Sequence, residues 1–169
     1  RGVARVALGG WSFSRRLLAV AMHWAAHGLR FDELLVLIGG IETDLLVAAG
    51  VAQRVRGFYL GMEALGMGPG LKGGYEVIEE TETSLMLGLT AAVEGQSFLP
   101  LPARHAVALR QVRPDLKSLR CPYTGEEPLA IPPLPIDVAY IHAWRADRRG
   151  NAVLGGHQGA DRLLALAAR

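Results

Sequence analysis

Twice in its first fifty residues the chain runs a short, predominantly apolar stretch into a pair of glycines and then into a helical pattern. The first stretch is Val3 to Leu8, closed by Gly9-Gly10; the second is Leu34 to Ile38, closed by Gly39-Gly40. A strand without polar alternation is covered on both faces, which is the situation of a parallel sheet, and a parallel neighbour is reached only through a crossover. The repeated order of strand, turn and helix therefore predicts an α/β fold: an open, mostly parallel sheet with helices on both faces.

The remaining pattern extends this grammar. Arg15 to His27 reads as a helix with Leu18, Met22 and Ala25 at helical spacing and Ser14 as its cap, and Glu42 to Ala49 as a short helix stopped by Gly50. Val55 to Leu60 and Tyr75 to Ile78 read as strands on either side of the glycine-dense connector GMEALGMGPGLKGG. Glu82 to Glu94 is a helix presenting Leu85, Leu89 and Ala92 on one face and closed by Gly95; Phe98 to Leu101 follows as a strand. Residues 102–135 are proline-rich and read as a long excursion containing at most a short strand at Leu129 to Ile131. Val138 to His142 is a further strand, and Asp161 to Ala168 begins a closing helix.

At 169 residues, half apolar and a fifth charged, the chain has the composition of one packed domain spanning 1–169. The formal charge of +2 comes with scattered arginines rather than a basic stripe interleaved with aromatics, so a nucleic-acid partner is not expected. No apolar run reaches the roughly 18 residues of a membrane span, and Arg1 to Ala4 carry no signal-peptide pattern; no membrane partner is expected. A single cysteine, Cys121, forms no internal disulfide, which points to a reducing cytoplasm.

Gly9-Gly10 sits where a first strand ends, the place where ligands bind in open α/β sheets; the plainer reading is a tight turn that needs positive φ. Neither the dinucleotide fingerprint nor a Walker A loop is present. His23 and His27 share a helix face but have no third partner at ligand spacing, so no metal site is assigned, and Cys121 in RCPY reads as turn chemistry. In EVIEETETSLMLGL, acids gather where a helix begins, which the helix dipole alone favours. The functional alternative puts Glu82 at the strand-to-helix corner, shielded in the same crevice as Gly9-Gly10 and acting as a general base.

Three blocks, VALGGWSFSRR, GQSFLPLP and LPIDVAYIHAWRADRRGNA, taken in that order, resemble the α (A) subunit of family I coenzyme A transferases, in particular the glutaconate CoA-transferase A type. The resemblance implies a heteromeric enzyme moving CoA between an acyl-CoA thioester and a carboxylic acid, as αβ or α2β2, with no permanently bound cofactor. It also implies a catalytic glutamate on a β-type partner, which attacks the thioester and forms a glutamyl-CoA thioester. This chain has no Ser-Glu-Asn-Gly element, and Glu94-Gly95 only ends a helix. On this reading Gly9 and Gly10 turn backbone amides to the thioester carbonyl, Trp11 and Ser12 shape the pocket, and Arg15 and Arg16 meet a substrate carboxylate or a CoA phosphate. In the related ring-opening CoA hydrolases of steroid breakdown the A subunit has the same GGW turn and a glutamate matching Glu82, which implies Glu82 as the base of a hydrolase. A noncatalytic structural or regulatory subunit is the reading outside enzymology. The family pattern extends past both ends, so 1–169 is expected to lack its N- and C-terminal extensions, and ARHAVALRQV replaces a Gly-Ser element found in relatives.

Overall fold

The computed structural model describes residues 5–11 and 13–169. Its first elements are β1 (Arg5–Leu8), α1 (Leu18–Ala26), β2 (Glu33–Val36), β3 (Ile38–Gly39), α2 (Ile41–Ala48), β4 (Arg54–Gly57) and β5 (Tyr59–Leu60). There follow β6 (Glu76–Glu79), α3 (Glu82–Glu94), β7 (Leu99–Leu101), α4 (Val107–Val112), β8 (Lys117–Ser118) and β9 (Leu129–Ile131). The chain ends through β10 (Val138–Tyr140), β11 (Arg145–Ala146), β12 (Ala152–Val153) and α5 (Asp161–Ala167).

The central sheet is fully parallel, in the order β10-β1-β2-β4-β6. Because side chains alternate across a strand, the central strands β1 and β2 feed two cores. Val6, Leu8, Leu34, Val36 and Val55 point to α1 and α2, where they bury Ala21, Trp24, Leu46 and Val47. Ala7, Leu35 and Leu37 point the other way and bury Leu85 and Leu89 of α3 together with Leu164 and Ala167 of α5. The expected α/β architecture with helices on both faces is what the chain adopts.

Several expected boundaries move, each for a local reason. The helix expected from Arg15 starts at Leu18, because Arg15 takes a left-handed φ of 55°. Ser14 does not cap it; its backbone closes a turn with Trp11 through Ser14 N–H to Trp11 O at 2.8 Å. The strands expected over 34–38 and 55–60 each break in two, since Leu37 O accepts from both the Phe58 and the Tyr59 amides at 3.3 Å, two residues opposite one. The excursion over 102–135 is more ordered than expected: β7, β9 and β8 form an antiparallel sheet, and Leu101, Leu129 and Ile131 bury against Ala106 and Leu109 beside α4. The first two residues of the strand expected from Val3 lie outside the described residues.

The expected α3 is found with the same bounds. Thr81 caps it, accepting from Ser84 N–H, while Ser84 Oγ accepts from Thr81 N–H at 2.9 Å; Gly95 ends it in the left-handed region at φ 67°. A chain of charges underlies this start. The Glu80 carboxylate accepts from Arg56 at 2.6 Å, from Arg113 and from the Ser84 hydroxyl at 2.6 Å. Arg56 also donates to Glu33 at 2.7 Å, which is shared with Arg5 at 2.6 Å, and Arg113 pairs with Asp115 through two bonds of 2.8 Å.

Burial pushes the Glu33 carboxyl up, but the flanking Arg56 and Arg5 guanidiniums outweigh it and hold Glu33 below its ordinary value; Arg113 does the same to Asp115. A carboxyl lowered in the folded state contributes stability that is present above its unfolded pKa and lost as the pH falls through the folded one. Unfolding free energy, measured by urea titration, is therefore expected to decline as the pH drops below about 4.5, the ordinary Glu33 value, with Glu33→Gln less stable at neutral pH and flatter in this limb. Leu89→Ala, at a fully buried site of α3, is expected to cost about 2–5 kcal/mol in the same measurement.

Candidate active site at the carboxyl edge of the sheet

The strand order reverses between β10 and β1, and at such a point the loops beyond the carboxyl ends part to leave a crevice. Here Arg15 fills that crevice. Its guanidinium, with 2% of the side chain exposed, donates through Nη1 to Asp161 Oδ2 at the start of α5 and to His142 O at 3.2 Å, and through Nη2 to His157 O. Asp161 Oδ1 accepts the Gly10 amide at 2.9 Å, and the Gly9 amide goes to Tyr140 O at 2.9 Å. This approach demands glycine: a Cβ on Gly9 would stand 2.5 Å from Asp161 Oδ1, and one on Gly10, at φ 107°, would stand 2.9 Å from Arg15 O.

Part of the sequence reading changes accordingly. The Gly9 and Gly10 amides donate to acceptors inside the chain and are not turned to an open site in this structure. Arg15 and Arg16 are likewise committed: Arg16 Nη1 donates to Ile38 O at 2.7 Å and to Glu42 Oε1 at 2.8 Å, and the Glu42 side chain is 2% exposed. Neither guanidinium is turned to an open site in this structure. Ser12 lies outside the described residues.

Trp11 and Glu82 do come together. They line one cavity of about 400 Å³ with Leu37, Met86, His157, Gln158 and Gly159. The Trp11 ring sits at 6.5 Å and 51° from Phe58, and Gly159, at φ 52°, approaches so closely that a Cβ there would lie 2.7 Å from Trp11 Cε3. Glu82 is the first residue of α3, and the capping bonds of Thr81 and Ser84 fix the backbone from which its carboxylate reaches the cavity rim. It is exposed rather than shielded, which differs from the expectation of a protected base. The cavity thus pairs a largely apolar wall of Trp11, Leu37 and Met86 with a carboxylate, an imidazole and an amide, a lining that can seat an acyl group beside a base.

The sequence missed Asp161, Leu37, Met86, Gln158 and Gly159 as site residues. A lone aspartate opening a helix looks like ordinary dipole complementarity, and Leu37 and Met86 look like core. Among the described residues no three His, Cys, Asp or Glu side chains are grouped to hold a metal ion; His23 and His27 stack at 4.1 Å on α1. Cys121 lies in a turn closed by Gly125 N–H to its carbonyl at 2.9 Å, and the Thr124 hydroxyl holds its thiol below the ordinary value. No helix among the described residues is long and apolar enough to cross a membrane.

Asp161→Ala would leave Arg15 a buried, unpaired cation and the Gly10 amide without its acceptor. Urea unfolding is expected to show a loss of about 3–5 kcal/mol. The exposed Glu82→Gln is expected to stay within about 0.5 kcal/mol of the parent.

Known proteins place these features. No family model matches the chain. Over 134 residues it is 34% identical to the A subunit of the 3-oxoadipate CoA-transferase of Pseudomonas knackmussii, covering 75% of this chain and 48% of the relative. It is 28% identical over 166 residues to the cholesterol ring-cleaving hydrolase IpdA subunit of Mycobacterium tuberculosis, covering 89% and 56%. The chain therefore spans about half the length of these curated relatives. Among solved structures, the decarboxylase AibA/AibB superposes with a TM-score of 0.86 at 29% identity, covering 98% of this chain and 65% of that one. The glutaconate coenzyme A-transferase of Acidaminococcus fermentans shares the fold with a TM-score of 0.83 at 23% identity, covering 98% and 59%. By its sequence blocks and these relatives, the chain is similar to the A subunits of coenzyme A transferases over about half of their length, and its sheet order is that of their fold.

Proposed function

We propose that the chain is the A-side subunit of a heteromeric CoA-transferase, moving CoA between an acyl-CoA thioester and a carboxylic acid. The observation that carries this reading is the cavity in which the GGW turn meets the first turn of α3 at the carboxyl edge of the sheet. Its apolar wall suits an acyl chain, and the chain is similar over 134 residues to a CoA-transferase A subunit. The nucleophilic glutamate comes from a β-type partner: its carboxylate attacks the thioester carbonyl and expels the CoA thiolate, leaving an acyl–glutamyl anhydride. The thiolate then attacks the glutamyl carbonyl, releasing the acyl group as a free carboxylate and leaving a glutamyl-CoA thioester from which the acceptor acid takes CoA by the reverse sequence. This chain supplies the wall against which the acyl group lies. Trp11, backed by Phe58 and held by the close approach of Gly159, orients the group, and the Arg15–Asp161 pair keeps the turn in place.

A second reading has an observation of its own. Glu82 is the carboxylate on the cavity rim, and the relatives include a ring-cleaving hydrolase subunit. In that reading Glu82 takes a proton from water or from the bound ester, and no acceptor acid takes part.

The test is to co-express the chain with a β-type subunit, incubate the purified complex with a panel of acyl-CoA esters, reduce with borohydride and locate the modified residue by peptide mass spectrometry. The transferase reading expects a reduced glutamate on the partner, and an adduct that still forms in Glu82→Gln. Turnover without any adduct, falling about 100-fold or more in an assembled Glu82→Gln complex, contradicts it and assigns the chemistry to this chain. An assembled complex with neither adduct nor turnover points to a noncatalytic subunit.

A further inference from the structure

Beyond β10 the chain leaves the sheet edge as a hairpin, β11 pairing antiparallel with β12, before it returns through residues 154–160 to α5. The hairpin is anchored at both feet by one group: the Arg15 guanidinium takes His142 O on the outgoing side and His157 O on the returning side, and His157 also lines the cavity. Its tip is built as rigidly. Asp147 Oδ1 accepts from the Arg149 and Asn151 amides at 2.8 and 2.9 Å, Oδ2 accepts from Asn151 Nδ2 at 2.7 Å, and the Asp147 amide donates to Asn151 O at 3.0 Å.

Two consequences follow for the surface. The only acid of the hairpin is consumed within its own turn, so Arg145, Arg148 and Arg149 are exposed and form no ion pair among the described residues. Trp144, at the base, is 68% exposed while its ring occupies the space any side chain on Gly155 would need, which holds one face against the loop and turns the other outward. Three free guanidiniums and an aromatic platform on a fixed prominence beside an acyl-sized cavity match a phosphorylated nucleotide: guanidinium forks meet phosphate oxygens in pairs, and a base stacks on an aromatic ring.

We propose that this hairpin grips the phosphorylated adenosine end of the CoA thioester whose acyl end enters the Trp11–Glu82 cavity. The proposal rests on the CoA reading above. Trp144 stacks on the adenine; Arg148 and Arg149 at the tip, with Arg145 on the stem, meet the phosphates. From His142 to Arg148 is six residues, a reach of at most about 20 Å along an extended strand. That is the scale of an extended pantetheine arm, which separates a thioester from its nucleotide.

The test is calorimetric titration of the complex with a β-type subunit, using CoA, dephospho-CoA and pantetheine as probes. In the Arg148→Ala/Arg149→Ala variant CoA binding is expected to weaken about 10- to 100-fold, dephospho-CoA binding to weaken less, and pantetheine binding to stay unchanged. Trp144→Ala is expected to weaken CoA and dephospho-CoA alike. CoA affinity equal to the parent's in both variants overturns the proposal while the CoA reading stands; so does an equal loss for pantetheine, which marks a general distortion. A parent complex that binds neither CoA nor pantetheine overturns the CoA reading itself, and the proposal with it.

Discussion

The buried pair between Arg15 and Asp161 is the interaction on which the carboxyl edge of this sheet depends. One guanidinium joins the turn after β1, the exit of β10, the loop that precedes α5 and the first residue of α5 itself. Three segments far apart in sequence thus share one anchor, and the crevice that strand reversal would otherwise open is filled. What remains open lies to one side, between the turn and α3, and that is where Trp11 and Glu82 meet. The left-handed backbone at Arg15 and the two glycines before it are the local conditions of this arrangement, because only such a turn brings Gly10 N–H onto Asp161 while the Arg15 side chain folds under it.

A second ionic assembly fixes the other wall. Glu80 joins Arg56 of β4 and Arg113 after α4 to the capping serine of α3, so the corner from which Glu82 projects is tied both to the sheet and to the 102–135 excursion. Buried ion pairs of this kind are weak contributors to net stability, since desolvation offsets most of their attraction, and removing one partner alone is what costs dearly. Their effect here is positional. Both walls of the cavity are held by directional bonds rather than by packing alone.

The sequence carried the fold further than the site. Fully apolar runs at 6–8 and 34–36 announced a parallel sheet because both faces of those strands are covered, and α3 was legible to the residue because its periodicity, cap and terminal Gly95 agree. Within the excursion the short strand Leu129–Ile131 was legible, but α4 and β8 were not, since α4 has six residues with Leu109 alone buried and β8 has two, too short to show a period. In the site, the glycine pair pointed to the right turn, but its chemistry was hidden: the amides end on Asp161 and Tyr140, partners more than 130 residues away that no local pattern reveals. Arg15 and Arg16 looked like ligands because a basic pair after a glycine turn is free in sequence; in space each faces a buried carboxylate. Glu82 was singled out by its place at a corner, and the fold brings it to the cavity, although exposed.

On the proposed function, the acyl end of a CoA ester lies against Trp11 in the cavity between the GGW turn and α3. The most direct measurement is a crystal structure of the complex with a β-type subunit, soaked with a non-hydrolysable acyl-CoA analogue. The expected result is acyl density bounded by Trp11, Leu37, Met86 and Gly159, with the Arg15–Asp161 pair intact beneath it. Acyl density seated elsewhere, with this cavity empty, would contradict it.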